Sequence, residues 1–356
     1  MIKIQVPARI CFFGDHQDYL GLPVIAGTID RYIRLKATPI TGSNFQLFLA
    51  DLGTHRTIPL NTNPEKIEQS DFLNAALAIG TRNGMEWQQG YKIEITGDIP
   101  INAGLSSSSA LTVAWIRFLI EAQHGNRSYT DAQIGHWAYE AEVLFFKSPG
   151  GLMDQYTIAQ QGVLYIETNK GITRRLNGSF GTLVVAESGI SKKTLEVLKN
   201  ARAYQEAAIS EIKRSHPHFK IQEITSEDYN RYKPLVSERY HNHWYAATYN
   251  YGITRSAQQL LQSESPDIDE IGRLMNEHQE ILERYIKNTP DSMILMMQKA
   301  REAGALGTKI VGSGGGGCMV AMTTPMQAKN VINAFLEAGV KDAYVVELTF
   351  PSNEES

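Results

Sequence analysis

Asp15, His16 and Asp18 fall within four residues, bracketed by Gly14 and Gly21. Two carboxylates and an imidazole this close can accept from and donate to several hydroxyls at once, which suits a polyol. A solvated turn uses the same residues, so the cluster alone does not choose. Metal binding is open to it, but no second group of ligands accompanies it. Arg9 lies just upstream in an apolar stretch. Its guanidinium can hold a carboxylate or phosphate by two parallel hydrogen bonds.

Two loops add anion chemistry. Residues 98–110 read DIPINAGLSSSSA, with Gly104 and Leu105 leading into Ser106, Ser107, Ser108 and Ser109. A helix that starts in such a stretch presents unpaired N–H groups and a positive dipole end to an anion. A serine N-cap explains the same residues more simply. No Gly-Lys-Ser/Thr follows, so this is not a Walker A loop. Residues 312–317 hold five glycines: Gly312, Gly314, Gly315, Gly316 and Gly317. A hairpin needs one or two, so five suggest backbone approached closely by something else. A strand follows, not a helix, which excludes the Rossmann context. Glu142 and Asp154 complete the set. Asp154 follows Gly150-Gly151 within apolar sequence and reads either as an N-cap or as a carboxylate projecting from a buried helix start.

The elements that must position these groups follow from periodicity. Strands are expected over 2–6, 10–13, 24–29, 32–37, 45–49, 91–96 and 162–167. Helices are expected over 71–84, through Leu111 to Ala122, and over 130–146, where Thr130 and Asp131 give N-terminal signals. A strand at 182–186 opens the second half. Helices at 193–215, 242–263, 268–288 and 292–303 follow, then strands at 309–311, 318–322 and 342–348 around a helix at 326–338. This order predicts an α+β fold with a boundary near 168–180 and a frayed tail at 351–356.

The chain has 356 residues, which favours two domains at about 150 residues each. Lys+Arg 34 against Asp+Glu 38 leaves a net charge of −4, which excludes a sequence-independent nucleic-acid binder. Cys11 and Cys318 form no CxxC pair, so a reducing compartment is the default. No run of 18 apolar residues and no apolar leader are visible, so a cytoplasmic protein without membrane attachment is expected.

Taken in order, residues 7–21, 100–110 and 312–318 resemble the three motifs of the GHMP kinases, and they frame nearly the whole chain. Within that family the resemblance is to galactokinase-type sugar kinases. Gly14 to Tyr19 reads GDHQDY and is similar to their Gly-Glu-His-x-Asp-Tyr segment. Arg9 matches their first-motif arginine. Ala141-Glu142, with Asp154 in Met153-Asp154-Gln155, resembles their Ala-Glu…Gly-x-Met-Asp-Gln stretch, and Leu274 to Glu277 is also family-like. There are departures. Asp15 stands for a glutamate, Ala8 for a glycine, and Gly315 for a phenylalanine. The third motif is therefore closer to mevalonate kinase, and residues 187–194 match galactokinases poorly.

The resemblance implies a two-domain GHMP kinase fold: a ribosomal-protein-S5-domain-2-like N-terminal ATP-binding domain over 1–175 and a ferredoxin-like C-terminal domain over 176–356. It implies ATP and Mg²⁺, with Ser108 and Glu142 as metal ligands. Gly104, Leu105, Ser106, Ser107, Ser108, Ser109, Gly312, Gly314, Gly315 and Gly316 would surround ATP. Asp154 would sit at the attacked hydroxyl with Arg9 beside it, while Asp15, His16, Asp18 and Gly151 would contact the sugar. The implied reaction is phosphorylation of a sugar hydroxyl, expected at the anomeric O1, with galactose or a related hexose, heptose, uronic acid or pentose as acceptor. A mevalonate-type alcohol kinase and a non-catalytic sugar and ATP sensor are the alternatives. The implied partners are small molecules, and monomer and dimer both stay open.

Overall fold

Residues Ile2–Phe13 form one strand, β1, where two short strands were expected. It pairs antiparallel with β2 (Val24–Ile40), and the register slips between Pro7 and Ala8 and again between Cys11 and Phe13. Proline has no N–H to give to the ladder, so a strand carries it at such an irregularity. The first four residues of β1 alternate between half-buried, with Ile2 and Ile4 against the core, and exposed, while residues 6–13 are buried throughout. Arg9 therefore lies in the half of the strand that is covered on both faces.

The computed structural model describes residues 1–61, 64–125, 127–191, 194–263 and 265–351. The first sheet also contains β3 (Asn44–Leu49), β4 (Thr54–Pro59), β5 (Gly90–Gly97), β6 (Val163–Glu167) and β7 (Ile172–Arg175). Its order is β4-β3-β5-β2-β6-β7, with β1 paired to β2 off that path. Only β3 with β5 is parallel among the pairs described. Four helices accompany this sheet: α1 (Phe72–Arg82), α2 (Ser107–Ala122), α3 (Asp131–Tyr139) and α4 (Met153–Gln160). Phe45 meets Trp115 and Phe118 edge to face in the core beneath it. The α+β expectation holds. β4 and β7 were not expected, because THRTIP and ITRR carry too few apolar residues to signal a strand.

The second sheet has the order β11-β8-β10-β9, built from β8 (Thr182–Glu187), β9 (Gly307–Ile310), β10 (Cys318–Thr323) and β11 (Asp342–Val346). Between β8 and β9 come α5 (Thr194–Ser215), α6 (Asp228–Tyr232), α7 (His241–Leu261), α8 (Ile268–Ile281) and α9 (Asp291–Glu302); α10 (Ala328–Glu337) precedes β11. The expected start of α5 at Lys193, and the expected fraying over 352–356, lie outside the described residues. Leu20 and Leu22 pack with Ala208, Ile212, Trp244 and Tyr251, which seats the segment after β1 on α5 and α7. The chain end then returns to the first sheet: Ile29 bridges Leu348, and Thr349 N–H donates to Thr28 O at 2.9 Å. Among the described residues no helix is long and apolar enough to cross a membrane.

β9 is an edge strand, and edges expose unpaired backbone groups. Side chains of α8 cover this one. Asn276 donates to Leu306 O at 2.8 Å and accepts from Thr308 N–H at 3.0 Å, while Gln279 Oε1 accepts from Ile310 N–H at 2.9 Å. The close approach needs Gly272, where an added Cβ would lie 2.8 Å from the carbonyl of Leu306. Gly272→Ala should therefore destabilise the fold by about 1–3 kcal/mol in urea unfolding, the usual range for overpacking. A variant within about 0.5 kcal/mol of the parent would contradict this contact.

Candidate active site

Arg9 reaches from β1 to α4. Its Nε and Nη2 each donate to one oxygen of Asp154 at 2.8 Å, and its Nη1 donates to Gly104 O at 2.6 Å. The fork matches both oxygens of the carboxylate, which is the strong geometry for this pair. Arg9 is nearly buried, with its side chain 4% exposed against 28% for Asp154. Burial opposes the Arg9 charge, but Asp154 reverses that and raises its pKa above the ordinary value. Asp154 is the second residue of α4, and α4 has no side-chain cap bond. The N-cap reading of Asp154 is thus replaced by the ion pair.

Ser106 also departs from its plain role. It is the N-cap residue of α2 but sits in the left-handed region, φ 63° and ψ 47°, and makes no cap bond. Its Oγ donates to Asp154 Oδ2 instead. The first turn of α2 consequently keeps N–H groups that no side chain caps, beside a paired carboxylate. Ser107 and Ser108 line the cavity here, together with Asn102, Ala103 and Gly104. The side chain of Leu105 lies in the core, so only its backbone is available to a ligand.

Ser109, expected beside the phosphates, is buried and turned the other way. Its Oγ donates to Glu142 Oε2 at 2.7 Å. Gln155 also donates to Glu142 Oε2, and Thr112 donates to Oε1 at 3.2 Å. Glu142 lies in a π-turn, Glu140–Leu144, that interrupts the expected helix over 130–146. Such turns shift one side chain out of helical register and concentrate at functional sites. Burial pushes the Glu142 carboxyl up to about 7, against the pull of its three donors. No salt bridge to it is present among the described residues.

A cavity of about 310 Å³ joins these groups to the 15–18 cluster and to Gly312 and Ser313. Asp18 and Gly151 are packed so closely that a Cβ on Gly151 would lie 2.1 Å from Asp18 Oδ2. Asp18 accepts from Tyr19 N–H at 2.9 Å; burial, with help from the Asp154 charge, pushes it up to about 7. His16 Nε2 is 2.9 Å from Ser313 O and its Nδ1 is 3.1 Å from Tyr19 OH. A carbonyl only accepts, so Nε2 carries a proton, and the ring ties the cluster to the glycine loop. Asp15 lies deepest. Its Oδ2 accepts from Lys309 Nζ, with both side chains almost wholly buried, and its Oδ1 has no hydrogen bond of normal geometry. Burial alone would raise the Asp15 carboxyl, but Lys309 brings it below the ordinary range. Burial and then Lys309 lower His278 to about 3, so its neutral Nε2 accepts from Gly14 N–H at 3.2 Å.

Lys309 was missed by sequence reading. Its signal was a lone lysine entering an apolar strand run, Gly307 to Val311. The glycine loop was read correctly as closely approached, but what approaches it is this chain's own backbone. A Cβ at Gly314 would lie 2.5 Å from Asn288 O, at Gly316 2.7 Å from Ile190 O, and at Gly317 2.5 Å from Ala103 O. All five glycines have positive φ, from 73° to 133°. Gly315 N–H donates to Asn288 O at 2.6 Å, so that group is already engaged. Of the expected glycines here, only Gly312 lines the cavity.

Two family models match the chain: GHMP kinases N terminal domain over 71–162 and GHMP kinases C terminal over 257–341. Galactokinase of Thermotoga petrophila is 25% identical over 367 residues, covering 100% of this chain and 98% of that protein. Mevalonate kinase of Thermococcus sibiricus is 26% identical over 348 residues, covering 95% and 93%. The structure of Lactococcus lactis galactokinase complexed with galactose superposes with a TM-score of 0.86 at 20% identity, covering 97% of this chain and 93% of that one.

The Asp18 environment predicts a pH effect. Its folded pKa, about 7, exceeds the unfolded value near 3.9, so its protonated form is the one the fold favours. That contribution to stability is complete below about 3.9 and is lost as pH rises through about 7. The melting temperature between pH 5 and 8.5 should fall less steeply for Asp18→Asn than for the parent. Parallel curves would contradict the assignment.

Proposed function

Because the chain belongs to the GHMP kinase family, phosphotransferases with an alcohol group as acceptor, we propose that it transfers the γ-phosphoryl group of ATP to a neutral sugar, at the anomeric O1 of galactose or a related hexose, heptose or pentose. One observation carries this reading. The Arg9–Asp154 pair is bonded to Ser106 at the start of α2 and borders the same cavity as Asp15, His16 and Asp18. A phosphate site and a hydroxyl-binding rim thus meet at one ionic pair. The division into domains at 1–175 and 176–356 is part of the same proposal.

The ATP phosphates would lie at the open first turn of α2, where Ser107, Ser108 and the backbone at 104–108 offer donors. Ser106 stays with Asp154, and Ser109 stays with Glu142. A second cavity, about 680 Å³, shares Asn102 and Ala103 with the first and is walled by Asp51, Asp98, Glu187 and Ser191. It has the size and the hydrogen-bond acceptors to take the adenosine end. Glu142 fits a role as magnesium ligand: it is a buried carboxylate whose donors bring no countercharge, and magnesium prefers hard oxygen. Ser108, exposed at the cavity, would be the hydroxyl ligand. A magnesium ion held by these residues would neutralise phosphate charge.

Asp154 would take a hydrogen bond from the acceptor hydroxyl and hold it in line. A carboxylate that already accepts a bidentate arginine fork is a weak base, and a loose transfer asks little of a base. Arg9 orients Asp154 and places positive charge beside the transferring group. A mevalonate-type acceptor bears a carboxylate, and no unpaired cation lines the cavity among the described residues.

Asp154→Asn should preserve ATP binding and lower kcat by at least about 10²-fold in a coupled ADP-release assay. The same assay over a panel of free sugars and mevalonate tests the reading itself. Turnover of mevalonate in preference to every sugar would overturn it, as would near-normal turnover by the variant.

A further inference from the structure

We propose that Lys309 is a specificity-determining positioning residue: from behind the cavity wall it holds Asp15 as an ionised, oriented hydrogen-bond acceptor, so that this corner takes a neutral acceptor by a hydroxyl and rejects a carboxylate-bearing one. The inference rests on the reading that Asp15 borders the acceptor.

The geometry leaves part of the Asp15 carboxylate weakly met. Its Oδ2 is taken by Lys309, while Oδ1 lies on a cavity-lining residue, is buried, and has no hydrogen bond of normal geometry; the Cys11 thiol, a weak donor, is the other protein group that touches this carboxylate. Buried polar atoms without partners are uncommon and call for an explanation. An ionised carboxylate oxygen can only accept, so its complement is a donor such as a sugar hydroxyl. Lys309 itself does not line the cavity, and its Nζ also donates to Ile310 O at 2.8 Å. Its charge is therefore directed at Asp15 and not at a ligand. α8 fixes the strand that carries it, through Asn276 and Gln279.

Four segments bring charged or titratable groups to Asp15. Lys309 comes from β9, His278 from α8, Cys11 and Arg9 from β1, and Asp18 and His16 from the same loop. Arg9 is committed to Asp154, and His16 to Tyr19 and Ser313. His278 is held neutral and Cys11 is held as the thiol by burial. Lys309 is thus the one full positive charge directed at Asp15 among the described residues. Without it, burial would favour the protonated carboxyl.

The test uses the full chain and four proteins: parent, Lys309→Met, Asp15→Asn and the double variant D15N/K309M. The ¹³Cγ resonance of Asp15, identified by its loss in D15N, is titrated from pH 5.5 to 8.5. It should stay flat in the parent and titrate within that window in K309M. In steady-state kinetics with the best neutral sugar of the panel, KM of K309M is read as a ratio to the parent's at each pH, because Asp18 and Glu142 titrate near 7 in both proteins. That ratio should be about tenfold at the acid end and fall as pH rises, with kcat within about threefold of the parent's, as expected for one lost charge-assisted hydrogen bond away from the reacting atoms. The double variant removes both buried charges and so guards against a folding failure of K309M. Its KM should be raised about tenfold at every pH, and its preference for the sugar over the corresponding uronate should narrow at least tenfold. An unshifted Asp15 titration in K309M, or parent-like KM and parent-like uronate discrimination in the double variant, would overturn the proposal. If the parent phosphorylates no sugar, the sugar-kinase reading fails, while the titration still decides whether Lys309 governs Asp15.

Discussion

A buried arginine is tolerated only where its charge and its donors are both met, and Arg9 meets this condition by joining three segments at once. Its fork fits Asp154 on α4, its remaining terminal nitrogen binds Gly104 in the loop before α2, and its own strand lies inside the first sheet. Much of the site follows from that arrangement. Ser106 leaves its own helix to bind Asp154, which keeps the first turn of α2 without a side-chain cap. Asp18, packed against Gly151, is pushed toward neutrality by burial and then by the charge of Asp154. A single ionic pair thus sets the start of α2 and the cluster at residues 15–18 in one frame.

The other side of the cavity is joined by a second set of contacts between distant segments. Lys309 holds Asp15, Ser313 holds His16, and His278 holds the amide of Gly14. Cys318 N–H donates to Ala103 O at 2.6 Å, which ties the glycine loop to the loop before α2. These contacts leave few free charges in the cavity wall. Recognition there would rest on oriented hydrogen bonds and on excluded charge more than on a strong field.

Much of this was legible in the sequence, and the unread parts have physical reasons. Long strands and helices showed their periodicity, though the two halves of β1 and of β2 were read separately, because Pro7 and the polar residues 30–31 break the apolar pattern where the register slips and each strand nevertheless runs on. β4 and β7 carry mainly polar side chains and owe their strand form to neighbouring strands rather than to their own pattern. Arg9, Asp154, Glu142 and the serine loop were singled out by residue type and by the family resemblance, and the structure bonds Arg9, Asp154 and Ser106 to one another and Ser109 to Glu142. The partner of each was not legible in the sequence, because Arg9 and Asp154 are 145 residues apart and Asp15 and Lys309 are 294 apart. Ser109 was misplaced for a similar reason. Four consecutive serines look equivalent in sequence, but the helix turns each to a different side, and Ser109 faces Glu142. The glycine loop was read as shaped for a ligand, and three of its glycines are instead required by Asn288, Ile190 and Ala103.

The central claim is that Arg9 and Asp154 act as one unit in phosphoryl transfer. A double-mutant cycle tests it most directly: single-turnover transfer rates at saturating ATP and sugar for the parent, Arg9→Met, Asp154→Asn and the double variant. If the pair is a unit, the double variant should be no slower than about threefold below the worse single variant, because either change already removes the fork. Losses that multiply, with the double variant slower by the product of the two single effects, would show that the two residues act independently and would contradict the account.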